Sequence, residues 1–180
     1  MFWRKRSNGP KRARLVPHPS AKGPPTELTV DFEKNGNVLS VVFVTHEDTD
    51  CIIWPPLEEP KRRDNLWKTT CFEVFVQTSA GYWEYNLSPS SAWAVYHFEH
   101  YRSGLTPATE FVASSGIRFE AYDALLSAQL TLPPNATFLG FSAVIEATDG
   151  TLSYWALNHP SDKPDFHHPA SFTLDLTEPA

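Results

Sequence analysis

The sequence predicts an all-β fold, an antiparallel β-sandwich formed as one domain over residues 15–180, and three features predict it. Aromatic residues are 13% of the 180, and large rings favour the pleated, half-buried surface of a strand. Sixteen prolines remove backbone donors that a helix interior needs. Short runs of alternating apolar and polar residues recur roughly every ten residues between turn signals, and no long 3.6-residue period occurs.

The elements follow in chain order. Residues 1–14 contain Arg4, Lys5, Arg6, Lys11, Arg12 and Arg14 and no acid, which reads as a solvated basic arm. An irregular lead-in ends at Gly23, Pro24 and Pro25. Leu28, Val30 and Phe32 then alternate with Thr29 and Asp31. Asn35-Gly36 is the strongest short hairpin signal, and apolar residues resume at Val38, so a β-hairpin is expected. Trp54, Pro55 and Pro56 open a polar loop to residue 65. A strand is expected over 67–77, a second over 82–87 after Gly81, and a third over 93–98 after Ser88, Pro89 and Ser90. A single helical turn is expected near 99–104. Further strands fall at 116–121, 125–132, 139–146, 152–157 and 171–176, some separated by Pro133-Pro134-Asn135 and by Asp149-Gly150.

Charge and cysteine usage narrow the class. The formal net charge is −6; with the six basic residues of the arm set aside, the body carries −12. Such a body repels phosphate backbones, so a nucleic-acid partner is not expected for the domain. No apolar run of about 7–15 residues follows the basic start, as a secretion signal would require, and no stretch reaches the roughly 20 apolar residues of a membrane span. Cys51 and Cys71, the two cysteines, lack CxxC spacing and read as reduced thiols. The expectation is a cytoplasmic protein.

Polar groups interrupt the strands where faces should be apolar. Side chains alternate along a strand, so Cys71, Glu73, Phe75 and Gln77 share a face, as do Tyr82, Glu84 and Asn86. Buried carboxylates need hydrogen bonds, an ion partner or a ligand. Glu84 and Asn86 beside Tyr82 resemble the acceptors and donors that a hydroxyl-rich ligand uses, with an aromatic ring for its C–H face. The candidate ligand-binding residues are therefore Trp67, Glu73, Glu84, Asn86, Trp93 and Arg102. Trp67 and Trp93 serve as stacking platforms, and Arg102 serves as a counter-charge. His159, Asp165, His167 and His168 lie in a proline-confined stretch without the spacing of a known metal motif, and all four are expected to shape the pocket edge. No metal and no cofactor are expected. GxSxG, HExxH, P-loop and GxGxxG motifs are absent, so a non-catalytic binding domain is the first reading. The alternative is a glycan-acting enzyme using Glu73 and Glu84 as paired carboxylates.

The runs around Trp67, Cys71, Phe72 and Glu73, around Tyr82, Trp83, Glu84, Tyr85 and Asn86, and through Ser88-Pro89-Ser90 to Trp93 resemble the bacterial DOMON-like domain proteins. The motifs at Tyr101-Arg102, Tyr154-Trp155, His159-Pro160 and Lys163-Pro164-Asp165-Phe166-His167-His168 extend that resemblance over roughly residues 15–177. The family is similar to the family-nine carbohydrate-binding modules and to sugar- and haem-binding DOMON domains. The resemblance implies a β-sandwich and a saccharide-like small-molecule ligand, such as a cell-wall-derived sugar, and it sets the Trp67–Glu73 motif on a strand lining a sugar site. It also implies a haem reading, which is disfavoured because the chain's single methionine is Met1 and CxxCH is absent.

Overall fold

The computed structural model describes residues 9–25, 27–109, 113–120 and 122–177. Among them the strands are β1 (Lys11–Pro17), β2 (Glu27–Asn35), β3 (Val38–His46), β4 (Cys71–Thr78), β5 (Gly81–Leu87), β6 (Trp93–Phe98), β7 (Thr106–Pro107), β8 (Ala113–Glu120), β9 (Asp123–Thr131), β10 (Phe138–Glu146), β11 (Leu152–Ala156) and β12 (Leu174–Asp175). The expected all-β architecture is present. The strands pair antiparallel into one curled sheet of order β7-β6-β5-β4-β10-β11-β1-β2-β3-β9-β8, with β12 added beside β10. Helical structure among the described residues is limited to three single 3₁₀ turns, and no helix is long and apolar enough to cross a membrane.

Curling brings two stretches of the sheet over one core. Leu28, Val30 and Phe32 of β2, Leu39, Val41 and Phe43 of β3 and Leu126 and Leu130 of β9 meet Phe72, Val74 and Val76 of β4, Tyr85 and Leu87 of β5 and Phe141 of β10. Phe43 bridges the stretches, with its ring 5.1 Å from Phe72 and 5.9 Å from Phe141. Cys51 and Cys71 are both free thiols.

Three local expectations change. Lys11, Arg12, Ala13 and Arg14 are strand: they pair with Phe32, Asp31, Val30 and Thr29 of β2. Arg12 also clamps Asp31 through two guanidinium bonds of 2.6 and 2.7 Å. Their basic side chains stay exposed and only Leu15 of β1 is buried, so an apolar alternation was never written there. The rest of the proposed arm, residues 1–8, lies outside the described residues, as does Ala121 at the end of an expected strand. The β2–β3 hairpin turns on Gly36-Asn37, since Asn35 pairs with Val38; a positive φ at Gly36 alone of the two fits the type II′ turn. In place of a helical turn near 99–104, His100 and Ser103 exchange backbone hydrogen bonds.

Candidate functional site

The register of the β4–β5–β6 meander decides which side chains share a face. Glu73 lies opposite Asn86, Phe75 opposite Glu84 and Gln77 opposite Tyr82; Glu84 in turn lies opposite Tyr96, and Tyr82 opposite Phe98. On the other flank Ser142 of β10 faces Glu73, and Gly140 faces Phe75. This face points away from the main core and carries a second cluster of Phe75, Tyr82, Ala94, Tyr96, Phe98 and Phe172. Glu73 and Glu84 are diagonal neighbours across adjacent strands, so their backbones are about 7–8 Å apart.

The segment 158–173 crosses that face. Phe172 anchors it, stacked on Phe75 with centroids 5.6 Å apart. Gly140 makes room: a Cβ there would lie 2.7 Å from the Phe172 ring. Between the segment and the sheet lies a cavity of about 370 Å³, toward the small end of the range for ligand sites. Buried Glu73, Glu84 and Val144 form its floor. Tyr96, Phe98 and Tyr154 wall it from the sheet, Pro164, Phe166 and His167 cover it, and Trp67, Arg102 and Leu105 stand at its exposed mouth.

Local structure presents each of these groups. Trp67 sits in the 3₁₀ turn Leu66–Lys68, which starts after Asn65 with a left-handed φ of 64°. The Trp67 ring meets Tyr96 edge-on at 6.0 Å. Tyr96 donates to Asp64 at 2.5 Å, and Arg62 lies over its ring at 5.4 Å while bonding Asp64 at 2.8 Å. Arg102 has a left-handed φ of 52°; its backbone N–H donates to the Tyr82 hydroxyl at 3.2 Å and its guanidinium bonds Asp165 at 2.8 Å. Asp165 also accepts from the Tyr101 hydroxyl at 2.5 Å. Burial works against this carboxylate, but the bonds from Tyr101 and Arg102 hold it below its ordinary range.

The floor has the opposite electrostatics. Glu73 accepts from Ser142 at 2.9 Å through Oε2, and Glu84 accepts from the Asn86 amide at 2.7 Å through Oε1. Burial pushes the Glu73 carboxyl upward, the neighbouring Glu84 charge adds to this, and Ser142 and Arg102 offset only part of the rise. Burial likewise raises Glu84 against the Asn86 bond and Arg102. The pair therefore keeps protons where a surface carboxyl has lost them. Beneath it, burial raises the Cys71 thiol well above its ordinary value, which keeps the sulfur protonated and unreactive.

His167 connects the cover to the floor. Its ring sits among Phe75, Phe98 and Tyr82 at 5.3, 5.1 and 5.8 Å. Nδ1 is 2.8 Å from the Tyr82 hydroxyl, and Nε2 is 3.7 Å from Oε2 of Glu84. Burial, reinforced by Arg102, depresses the imidazole to about 4. The contact with Glu84 is thus between a neutral ring and a carboxyl group, not an ion pair. The Tyr82 hydroxyl accepts from Arg102, so its own proton is free for Nδ1, an assignment that leaves the ring hydrogen on Nε2 toward Glu84.

Of the sequence candidates, the cavity gathers Trp67, Glu73, Glu84, Arg102 and His167. Asn86 is fully buried beside Glu84 and holds its Oε1 in place. Asp165 stands behind Arg102 and fixes it. Trp93 belongs to the opposite face: it pairs with Leu87 and packs on the main core, as alternation from Tyr96 requires. His159 is elsewhere too, with Nε2 at 2.9 Å from the Val16 carbonyl and its ring edge-on to His18 at 5.0 Å. His168 instead caps a 3₁₀ turn, accepting from the Ala170 N–H. Sequence reading missed Tyr96 and Phe98, although the parity that places Glu84 on this face places them there too. It also missed Phe166, although its neighbours Asp165 and His167 were expected at the pocket edge, and Tyr154, whose strand carries no sequence signal linking it to β4–β6.

No known protein-family model matches the chain, and no curated protein matches it. The resemblance to DOMON-like proteins therefore rests on the motifs themselves.

Proposed function

We propose that the chain is a non-catalytic binding domain whose cavity takes a saccharide-like small molecule, and that its curled sheet is a β-sandwich of the DOMON-like kind. One observation carries this reading: a single cavity joins aromatic surfaces of Trp67, Tyr96, Phe98, Tyr154 and Phe166 to a floor of two buried carboxyl groups. Rings against C–H faces and acceptors against hydroxyl protons are the complementary halves of sugar recognition. The mouth residues suit this role because Trp67 is 38% exposed and so available to a ligand.

A second reading, hydrolysis of a glycan by Glu73 and Glu84, is favoured by one observation: two buried carboxyls are diagonal neighbours on the floor of one cavity, where burial raises both as a general acid requires. Glu84→Gln separates the two, since it keeps the shape and the Asn86 contact while removing the ionisable group. A binder loses affinity modestly; an enzyme loses turnover by orders of magnitude. The experiment is a glycan array followed by calorimetry and a turnover assay on each hit. Trp67→Ala is expected to weaken binding by about 1–3 kcal/mol, roughly 5- to 150-fold. Wild-type affinity in folded Trp67→Ala and Glu84→Gln proteins would remove the cavity from the function.

A further inference from the structure

The lining of the cavity sets two carboxyl groups against one permanent cation. Its floor holds Glu73 and Glu84, each with one oxygen engaged by the protein, Oε2 by Ser142 and Oε1 by Asn86. The other two oxygens are open: among the described residues Oε1 of Glu73 has no donor within hydrogen-bond distance, and Oε2 of Glu84 has only the His167 ring, at 3.7 Å. Both side chains are more than nine-tenths buried, with Glu73 and Glu84 at 3% and 5% exposure. Arg102 is the one permanent cation among the described lining residues, and Asp165 holds it at 2.8 Å. The walls are aromatic and add no cationic group, with Trp67, Tyr96 and Phe98 among the lining residues.

A neutral hydroxyl would fill the open acceptors without replacing the protons that balance the carboxylates in the free protein. An ammonium group does both, bringing three donors and a positive charge. We propose that the ligand carries a basic primary amine seated between Oε1 of Glu73 and Oε2 of Glu84, which makes it an unacetylated amino sugar. The amine follows from the floor and walls; the sugar part rests on the saccharide reading above.

Calorimetry on the full chain at neutral pH tests this with glucosamine, glucose, N-acetylglucosamine and 1,4-diaminobutane as probes. Glucosamine is expected to bind at least about tenfold tighter than glucose and N-acetylglucosamine, the effect of one charge-assisted hydrogen bond. Glu73→Gln and Glu84→Gln are each expected to erase that preference. Gln can still accept from Ser142 or Asn86, and if one variant loses its cooperative melt, the other carries the test. Glucose or N-acetylglucosamine binding as tightly as glucosamine overturns the amine and leaves the saccharide reading standing. Diaminobutane binding as tightly as glucosamine in wild type alone, with neither neutral sugar detectable, keeps the amine and overturns the sugar. No heat from any probe at tens of millimolar overturns both.

Discussion

Two carboxyl groups sit where water does not reach them freely, and their protonation links the cavity to stability. The folded state raises both above the ordinary value of 4.5. It therefore holds protons that the unfolded chain has already released. The resulting stability is fully present below 4.5 and is lost as pH rises through the raised values, at up to about 1.4 kcal/mol per pH unit for each proton retained. Glu84→Gln cannot ionise, so its melting temperature relative to wild type is expected to climb between pH 5 and 8; a difference constant across that range would mean the group is not held protonated. His167 acts in the reverse sense. Its folded value, about 4, lies below its ordinary 6.5, so its contribution is complete above 6.5 and is lost as pH falls toward 4. His167→Asn is expected to flatten the loss of stability in that acid window, measured as the melting-temperature difference from wild type. The two trends oppose each other near pH 5–6, which is why each is measured against its own variant.

Between β10 and the segment that covers it, Gly140 and Phe172 form a lock whose key is the missing Cβ. Gly140→Val is expected to displace the Phe172 ring and cost about 1–3 kcal/mol. Amide exchange should accelerate through 158–173 while β4 and β5 stay protected, and unchanged exchange there would show that the segment does not depend on Phe172. Much of this architecture is legible in the residues themselves. Alternation groups Glu73 with Phe75 and Glu84 with Tyr82 and Asn86, while the inter-strand register that sets both carboxyls on one face is seen only in the fold; strands near 71–77, 82–87 and 93–98 follow from their β-branched and aromatic content. The same alternation, followed one strand further, separates Trp93 from Tyr96; identity as a tryptophan suggested a platform, but parity decides which face it serves. Lys11–Arg14 hid β1 because exposed basic residues look the same in an edge of sheet as in a free arm. Pro164 and Phe166 lie in the stretch expected at the pocket edge for its histidines and aspartate, whereas Tyr154 was beyond reach because it arrives through the pairing of β11 with β10. The Asn35-Gly36 signal located its hairpin yet missed the turn by one position, since Gly36 takes the first central place.

Among the described residues β1 joins the two halves of the sheet, pairing with β2 from Lys11 to Leu15 and with β11 through Val16 and Pro17. Leu15, with no exposed surface, is the buried pin of this joint, and Leu15→Ala is expected to cost about 2–5 kcal/mol in chemical denaturation. Deleting residues 1–14 is expected to lower the melting temperature by more than about 5 °C; a smaller change would mean that the Arg12–Asp31 pair and its ladder contribute little. The order of the strands has a temporal consequence as well. As the chain is synthesised, β4, β5 and β6 emerge together and pair as close neighbours, whereas β10 and the covering segment arrive only near the end. Until then Glu73 and Glu84 stand in water as ordinary ionised carboxylates. Pairing of β10 beside β4 at Glu73, and seating of His167 at Glu84, removes that water, so folding takes up protons from the solvent. Refolding between pH 5 and 7 is expected to be accompanied by an uptake of protons that Glu73→Gln reduces; refolding without uptake in that window would mean that the carboxyls are not held protonated.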